Sequence, residues 1–349
     1  MTNDKVCGLV RWIARVGRGL LLPILSFVVF HLSFSVADAQ SLTFVELNCE
    51  NLFDTRNDSL KQDEEYLPES TRHWTRKRYW RKLNNIAQEL LSCSDDGIPD
   101  LVALCEVEND SVLVDLSRRS LLRNAGYQYL MTSSPDLRGV DVALLYSPFS
   151  FSPISHRSIR VTPVEGMRPT RDILYVCGRL ITDDTLHVFV VHAPSRYGGE
   201  RYSRPFRLCV ADVLAQAVDS ITTHSPDARI IVAGDFNDYP DSPALKQLYR
   251  NGLDNATRDA RGAGGVKGTY RYKGEWQHLD HVLLTPSLTR LTELATIHAP
   301  KFVLEDEPQF GGLRPRRTYR GYRYQTGYSD HLPLVVRFRL TPLTSDNTH

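Results

Sequence analysis

The sequence predicts an α/β fold. Eight short apolar runs with strand character recur along the chain, and two longer stretches repeat their apolar residues at helical spacing. Acidic, amide and histidine residues directly follow or precede several of the strand-like runs, and in α/β proteins such strand ends line a crevice. The chain has 349 residues, of which 42% are hydrophobic and 24% charged, as is usual for a globular protein.

The first 39 residues differ from the rest. Basic residues precede an apolar run from Leu20 to Val36, and Ala37-Asp38-Ala39 places small residues where a signal peptidase cleaves. The pattern predicts a signal peptide at 1–39 and an exported protein, periplasmic or extracellular. A retained membrane anchor is the alternative, because the apolar run is near the minimum length that spans a bilayer.

The remaining elements fit one domain. The predicted strands are 42–47, 100–104, 140–146, 174–180, 186–191, 230–233, 281–284 and 334–338. The predicted helices are 76–91 and 204–221, where apolar residues recur three and four positions apart. No segment between them has the composition of a linker, so we expect a single catalytic domain at 41–340 and a polar tail at 341–349.

Charge and cysteine content exclude several classes of protein. The formal net charge is +1, so charge alone does not indicate a protein that binds polyanions. Six cysteines are present and five follow residue 39, with no C-x-x-C pair among them. Neither a disulfide scaffold nor a thiolate zinc site is expected.

Oxygen ligands for a cation follow the first two predicted strands. Asn48 and Glu50 are two positions apart and therefore point to the same side of a strand, and Glu106 follows the second strand. Carboxylate and amide oxygens suit Mg²⁺, Mn²⁺ or Ca²⁺ and are poor ligands for soft metals. Taken singly, each of these residues also fits a solvated strand end.

Acid–base residues stand beside the later strands. Asp235 and Asn237 follow a buried strand and a glycine, and such a pair can orient a water molecule and accept its proton. Asp280 precedes His281 at the start of one predicted strand, Asp330 precedes His331 shortly before the last one, and His192 stands at the end of another. Histidine is the side chain best suited to proton transfer near neutrality.

Together, these motifs resemble the ordered motif set of the endonuclease/exonuclease/phosphatase superfamily. The motifs are Asn48-x-Glu50-Asn51, Cys105-Glu106, Arg138-Gly139-Val140-Asp141, His192-Ala193-Pro194-Ser195, Gly234-Asp235-Phe236-Asn237, Leu279-Asp280-His281 and Ser329-Asp330-His331. The resemblance implies a four-layer sandwich, in which two mostly antiparallel sheets pack face to face between helices. It also implies an active site at one edge, where the loops gather.

The resemblance assigns roles to the strand-end residues. The metal ligands that it implies are Glu106, Glu50, Asp330 and Asn48. The catalytic residues that it implies are Asp235 and Asn237 for the water, His331 oriented by Asp280, and His192. The predicted substrate contacts are Arg138 and Arg196. The implied activity is Mg²⁺-dependent hydrolysis of a phosphoester, with Mn²⁺ or Ca²⁺ as alternative metals.

The substrate stays open at the level of sequence. Two basic, aromatic-rich stretches, 72–82 and 314–324, favour nucleic acid, because arginine contacts phosphate and aromatic rings stack on bases. A nuclease is therefore the first expectation. A phosphatase or phospholipid phosphodiesterase, inositol-phosphate or sphingomyelinase-like, is the alternative, and a secreted non-catalytic binding module on the same scaffold is the third. We expect a monomer without an obligate protein partner.

Overall fold

The computed structural model describes residues 40–94 and 97–340. The predicted signal peptide and polar tail lie outside the described residues. The α-helices are α1 (Arg76–Leu91), α2 (Asp110–Arg118), α3 (Glu200–His224), α4 (Pro243–Arg250) and α5 (Pro286–Thr289). Among the helices of this described part, none has both the length and the apolar character that a membrane span requires.

Two six-stranded sheets carry the fold. In spatial order, the first contains β13 (Thr292–Ile297), β18 (Leu334–Leu340), β1 (Gln40–Leu52), β2 (Leu101–Val107), β4 (Asp141–Tyr146) and β3 (Gln128–Met131). The second contains β5 (Phe151–Ile159), β6 (Ile173–Leu180), β7 (Thr185–His192), β8 (Arg229–Asp235), β12 (Asp280–Leu284) and β9 (Asp254–Asn255). Each of the eight predicted strands lies in one of these sheets.

Three small hairpins extend the loops. They pair β10 (Tyr270–Tyr272) with β11 (Glu275–Gln277), β14 (Leu304–Asp306) with β15 (Leu313–Pro315), and β16 (Tyr319–Arg320) with β17 (Arg323–Tyr324). The first of these hairpins reaches the strand-end region, because Tyr270 forms an isolated bridge with His331.

Three apolar layers hold the sheets and helices together. Phe44 of β1 packs with Ile231 of β8 in a core between the two sheets. Its neighbour Val45 faces the other side of β1 and packs with Leu83 of α1. Leu214 of α3 belongs to a third core on the outer face of the second sheet. Since both faces of the central strands are buried, the predicted four-layer sandwich is confirmed.

Strand direction gathers the polar strand ends at one edge. β1 runs parallel to β2, and β7 runs parallel to β8. His192 at the end of β7 pairs in register with Asp235 at the end of β8. Asp235 in turn pairs with Asp280 at the start of the antiparallel strand β12. Three predicted catalytic residues therefore stand side by side on three adjacent strands.

Several elements differ from the prediction. α1 is confirmed at its predicted bounds, whereas α3 begins earlier and ends later than 204–221. The helices α2, α4 and α5 were not predicted, because each is short and exposes much of its surface. The edge strands β5 and β13 were also missed, because most of their residues are solvent-exposed or only half-buried and form no apolar run.

Candidate active site

Irregular backbone turns the strand-end side chains toward a common centre. Glu50, Asn51, Glu106 and Asn237 have φ angles of 51°, 54°, 60° and 50°. The register between β1 and β2 shifts after Asn48, and that between β2 and β4 shifts at Glu106. Left-handed backbone at a non-glycine residue costs of order 1–3 kcal/mol and is common at functional sites. Bulges of this kind re-aim side chains at strand ends.

Asp235 is the most connected carboxylate of the site. It is buried, and its Oδ2 accepts hydrogen bonds from Asn48 Nδ2 at 3.0 Å and Asn237 Nδ2 at 3.2 Å. Its Oδ1 accepts the backbone N–H of Asn237 at 2.7 Å. Burial, and then the charge of Asp280, raise the pKa of Asp235 to about 7. A carboxylate with this pKa is suited to accept a proton near neutral pH.

His331 and Asp280 form a buried pair beside Asp235. His331 Nδ1 lies 2.8 Å from Asp280 Oδ2, which also accepts a hydrogen bond from the hydroxyl of Thr269. Burial lowers the pKa of His331, but the Asp280 carboxylate outweighs burial and raises that pKa well above its usual value. The ring of Tyr270 packs 4.9 Å from the imidazole. The predicted orientation of His331 by Asp280 agrees with this geometry.

His192 lies on the other side of Asp235. Its Nε2 is 3.7 Å from Asp235 Oδ2 and 3.8 Å from Glu106 Oε1. Arg171 fixes the strand end by donating to the carbonyl oxygens of His192 at 3.1 Å and Ala193 at 2.7 Å. Burial, and then the charge of Arg171, lower the pKa of His192 well below its usual value. This imidazole is therefore neutral at pH 7.

The two predicted substrate arginines have different surroundings. Arg138 donates to Asn51 Oδ1 and has its Nη2 3.5 Å from Glu106 Oε1, so it lies within the site. Arg196 instead bonds to Glu200 at 3.0 Å and stacks 4.6 Å from the ring centre of Tyr239. Arg196 is thus held at the start of α3, next to the loop that follows His192.

Arg317 joins two of the predicted metal ligands. Its Nε lies 3.3 Å from Glu50 Oε1, and its Nη2 lies 2.7 Å from Asp330 Oδ2. The Asp330 carboxylate raises the pKa of Arg317, and burial opposes this. Glu50 also accepts the backbone N–H of Thr318 at 2.6 Å, and Lys82 Nζ lies 3.7 Å from it. Sequence reasoning missed Arg317 because it stands far along the chain from Glu50.

One group of three side chains in the site lies close enough together to share a divalent cation, and it is distinct from the predicted metal ligands. Asp235, Asp280 and His331 each offer one ligand atom, and these atoms lie within 4.8 Å of one another. No other group of three acidic, histidine or cysteine residues is that close within residues 40–94 and 97–340. Oδ1 of Asp280 is buried without a hydrogen-bond partner. Oxygen-rich, negatively charged surroundings of this kind suit hard cations.

The predicted metal ligands Glu106 and Asn48 each have an oxygen that already accepts a hydrogen bond from the backbone. Glu106 Oε2 accepts the backbone N–H of Asn51 at 2.8 Å, which leaves Oε1 directed toward His192 and Arg138. Asn48 Oδ1 accepts the N–H of Glu50 at 2.9 Å while its amide binds Asp235. The assignment of Glu106, Glu50, Asp330 and Asn48 as metal ligands stays a prediction.

Glu46 is a further buried acid that the motif reasoning missed. It stands two positions before Asn48 on β1, so the same period-two argument that paired Asn48 with Glu50 could have found it. Its side chain is fully buried, and neither oxygen has a hydrogen-bond partner. Burial, and then the charges of Asp280 and Asp235, raise the pKa of Glu46 well above its usual value. Burial thus favours the neutral form of Glu46.

Comparison with known protein families identifies one family for this chain. The sequence model described as "Endonuclease/Exonuclease/phosphatase family" matches residues 43–340. No curated protein matches the chain in sequence.

Solved structures share the fold. A family protein from Bacteroides thetaiotaomicron is 15% identical, with 87% of this chain and 99% of that chain covered and a TM-score of 0.58. A mannosyl-6-phosphatase of Bacteroides thetaiotaomicron VPI-5482 is 16% identical, with 84% and 98% covered and a TM-score of 0.57. The catalytic domain of human Nocturnin is 21% identical, with 87% and 96% covered and a TM-score of 0.52.

Proposed function

The chain belongs to the endonuclease/exonuclease/phosphatase family of metal-dependent phosphoester hydrolases, and on that premise we propose that it hydrolyses a small phosphoester with Mg²⁺. One observation carries the proposal. Asp235 is buried between a charged His331–Asp280 pair and a neutral His192, so a proton acceptor and a proton donor face the same space. Mn²⁺ and Ca²⁺ are the alternative metals, because the same oxygen ligands accept them.

The side chains of the site account for each part of the reaction. Asp235, oriented by the amides of Asn48 and Asn237, holds the attacking water and takes its proton. As the water oxygen bonds to phosphorus, the bond from phosphorus to the leaving oxygen breaks. His331, whose Nδ1 is held by Asp280, transfers the proton on Nε2 to the leaving oxygen. Glu106, Glu50, Asp330 and Asn48 would hold the cation, which when bound offsets the charge on the phosphoryl oxygens.

Internal pairing of arginines supports a small substrate. Arg72 bonds to Glu65 at 2.9 Å and to the carbonyl oxygen of Gly321 at 3.1 Å, so the stretch 72–82 packs against the stretch 314–324. Arg314 bonds to Glu305 at 3.1 Å. A guanidinium whose charge is matched by a carboxylate attracts phosphates less strongly, and phosphate contacts dominate nucleic-acid affinity. We therefore propose a small phosphoester ahead of nucleic acid, whereas the sequence led us to expect a nuclease first.

A nuclease is the second candidate. Arg76, Lys77 and Arg81 lie on the exposed face of α1, where a polyanion has access to them. They also fit the solvated face of an amphipathic helix. A nuclease would show binding that weakens steeply as the salt concentration rises, because each neutralised phosphate releases counterions.

The test is a panel of phosphoesters with purified protein. Product release would be measured from hexose and cyclitol phosphates, including mannose 6-phosphate, and from bis-p-nitrophenyl phosphate, plasmid DNA, RNA and phospholipid vesicles. Each would be tested with Mg²⁺, Mn²⁺ and Ca²⁺. Glu106→Gln is the inactive variant, and Glu108→Gln is its matched control, because Glu108 bonds to the backbone of Asp54 outside the site.

The outcomes separate the candidates. Turnover of a small ester that Glu106→Gln abolishes and Glu108→Gln retains supports the proposal. Cleavage of DNA or RNA with the same dependence supports the nuclease, and turnover restricted to vesicles supports a phospholipid enzyme. No turnover with any metal would leave a non-catalytic binding module on this scaffold.

We also propose that the protein is exported. The proposal rests on the basic, apolar and small-residue pattern of 1–39. N-terminal sequencing of protein recovered outside the cytoplasm should begin at Gln40. Recovery of the full-length chain in the membrane fraction would instead support a retained anchor.

A further inference from the structure

A small cavity lies beside the site and shares two residues with it. Its volume is about 150 Å³, and its lining includes both Glu50 and Arg317. The remaining lining side chains that matter to its chemistry are Tyr66, Arg72, Trp74 and Tyr319. Since Glu50 lines the cavity and Arg317 also binds Asp330 at 2.7 Å, the cavity adjoins two of the residues proposed to hold the metal.

The aromatic walls of the cavity are fixed by their own contacts. Tyr66 stacks on Phe53 with ring centres 4.3 Å apart and an angle of 12° between the ring planes. Trp74 is buried and donates from Nε1 to the carbonyl oxygen of Phe53 at 3.0 Å. The hydroxyl of Tyr319 donates to the carbonyl oxygen of Arg72 at 3.0 Å. The walls are therefore preformed, which lowers the entropic cost of binding.

The two arginines of the cavity have their charges matched. The guanidinium of Arg72 lies 5.4 Å from the ring centre of Tyr66 and 5.1 Å from that of Tyr319, and it bonds to Glu65. Arg317 is matched by Glu50 and Asp330. A second anionic group would meet no unmatched cation in this cavity. The occupant that fits is a neutral group with hydroxyls, which can bond to the remaining guanidinium donors and carboxylate oxygens.

The size of the cavity limits the occupant to one ring. Pockets for drug-sized ligands span roughly 300–1,000 Å³, well above the volume of this cavity. We propose that the cavity receives the hydroxylated six-membered ring of a small phosphate monoester, a hexose or a cyclitol phosphate, while the phosphate lies at the neighbouring catalytic residues. The aromatic side chains form the walls that enclose the ring, and the charged side chains bond to its hydroxyls. This inference rests on the proposed function.

Ring binding can be measured without turnover. Ligand-observed saturation-transfer NMR on metal-free protein would report which protons of each compound contact the protein. The compounds are a hexose 6-phosphate, a cyclitol monophosphate, a nucleoside 5′-monophosphate and glycerol phosphate. We expect saturation of the ring protons of the hexose or the cyclitol phosphate, and the stronger signal identifies the source of the ring.

Two variants act on different walls of the cavity. Arg72→Gln removes the guanidinium. Gly321→Asn adds a side chain at a lining position with a φ of +56°, where an added Cβ meets nothing within 4 Å, and asparagine tolerates this backbone. Arg157→Gln is the matched control, because Arg157 also stacks on a tyrosine, 5.1 Å from the ring centre of Tyr175, but does not line the cavity.

The expected results are specific to the ring. Either cavity variant should weaken ring saturation and raise the KM for the cyclic ester about tenfold, which corresponds to one or two lost hydrogen bonds. The control should match wild type in both measurements and in melting temperature. Saturation of the nucleobase instead of the polyol ring, or equal ring saturation in wild type and both variants, would overturn the proposal. If no ester is turned over but the ring binds as described, the proposed hydrolysis fails while the ring site stands.

Discussion

The two histidines of the site lie on opposite sides of Asp235 in opposite electrostatic surroundings. His331 contacts the Asp280 carboxylate at 2.8 Å, and this contact raises its pKa well above the usual value. His192 has two carboxylates within 3.8 Å, but burial, Arg171 and Arg138 together lower its pKa well below the usual value. One histidine is therefore charged and the other neutral at the same pH.

The difference assigns separate tasks to two residues of one type. A charged imidazole can donate a proton and stabilise negative charge on a phosphate, whereas a neutral imidazole with a lowered pKa is a weak base and contributes mainly a hydrogen bond. Titratable groups whose surroundings push their pKa values apart are good candidates for the acid and base of a reaction. Here His331 would supply a positive charge and a proton to the phosphate, and His192 would supply a hydrogen bond that positions it.

Asp235 contacts both sides, so its removal has the largest expected effect. Asp235→Asn keeps the size of the side chain but removes the proton acceptor. We expect kcat to fall about a thousandfold, within the usual contribution of a general base. Steady-state kinetics on the preferred ester would measure it. Asp241→Asn, an exposed acid on the same loop, is the control. Retention of more than a tenth of the activity by Asp235→Asn would remove Asp235 from the role of base.

Replacement of the charged histidine comes next. His331→Gln keeps a hydrogen-bond donor but removes the positive charge and the donated proton, and we expect kcat to fall about a hundredfold. His187→Gln is the control, because His187 is a half-buried histidine bonded to Tyr175 outside the site. An unchanged kcat in His331→Gln would show that the charge near Asp280 has no part in the reaction.

Replacement of the neutral histidine should cost much less. His192→Gln removes one neutral hydrogen-bonding group, so we expect kcat/KM to fall roughly fivefold, the equivalent of one ordinary hydrogen bond. The informative quantity is the ratio between the two histidine variants. Equal losses in His192→Gln and His331→Gln would mean that the two imidazoles do not differ in charge during the reaction.

The pH dependence of activity tests the pKa values assigned to the base Asp235 and the charged histidine His331. Asp235 must be unprotonated to act, so activity should rise with pH through about 7, the pKa that burial and Asp280 give it. Because the pKa of His331 is raised, activity should fall only well above neutral pH. Asp280→Asn removes a charge that raises both pKa values, so both limbs should move to lower pH by roughly one unit. Limbs that do not move would contradict the assignment.

Replacement of Glu46 should have the smallest effect, and the effect should be on stability. Its pKa is raised in the folded protein, so the folded state binds the proton more tightly than the unfolded state, whose pKa is about 4.3. The stability that this proton confers is present below pH 4.3 and is lost as pH rises through the folded pKa. Glu46→Gln should therefore raise the melting temperature by a few degrees more at pH 8 than at pH 5. An equal change at both pH values would contradict a raised pKa of Glu46.

The sequence predicted the secondary-structure elements correctly where an apolar run ended in polar residues. The central strands and α1 were predicted because burial on both faces or helical spacing leaves a clear pattern, whereas the exposed strands β5 and β13 leave none. Strand-end position located Asn48, Glu106 and Asp235. The left-handed backbone of Glu106 and the contact of Arg317 with Glu50 depend on tertiary packing, which no local pattern records.

The charge states of the two histidines were also beyond sequence reasoning. Both follow or precede apolar strands, and both have acidic residues within reach. Only the three-dimensional structure places Arg171 beside His192 and leaves His331 among carboxylates. The proposed order of substrate classes differs from the sequence expectation for a similar reason, because pairing between Arg72 and Glu65 cannot be read from a count of basic residues.

The most direct test of the account is metal dependence of hydrolysis by the wild-type protein. The preferred ester would be assayed before treatment with a chelator, after removal of the chelator and bound metal, and after addition of Mg²⁺, with circular dichroism at each step. The account predicts that activity disappears with the metal and returns with Mg²⁺ while the fold is unchanged. Hydrolysis that continues at the original rate in a metal-free, folded protein would contradict it.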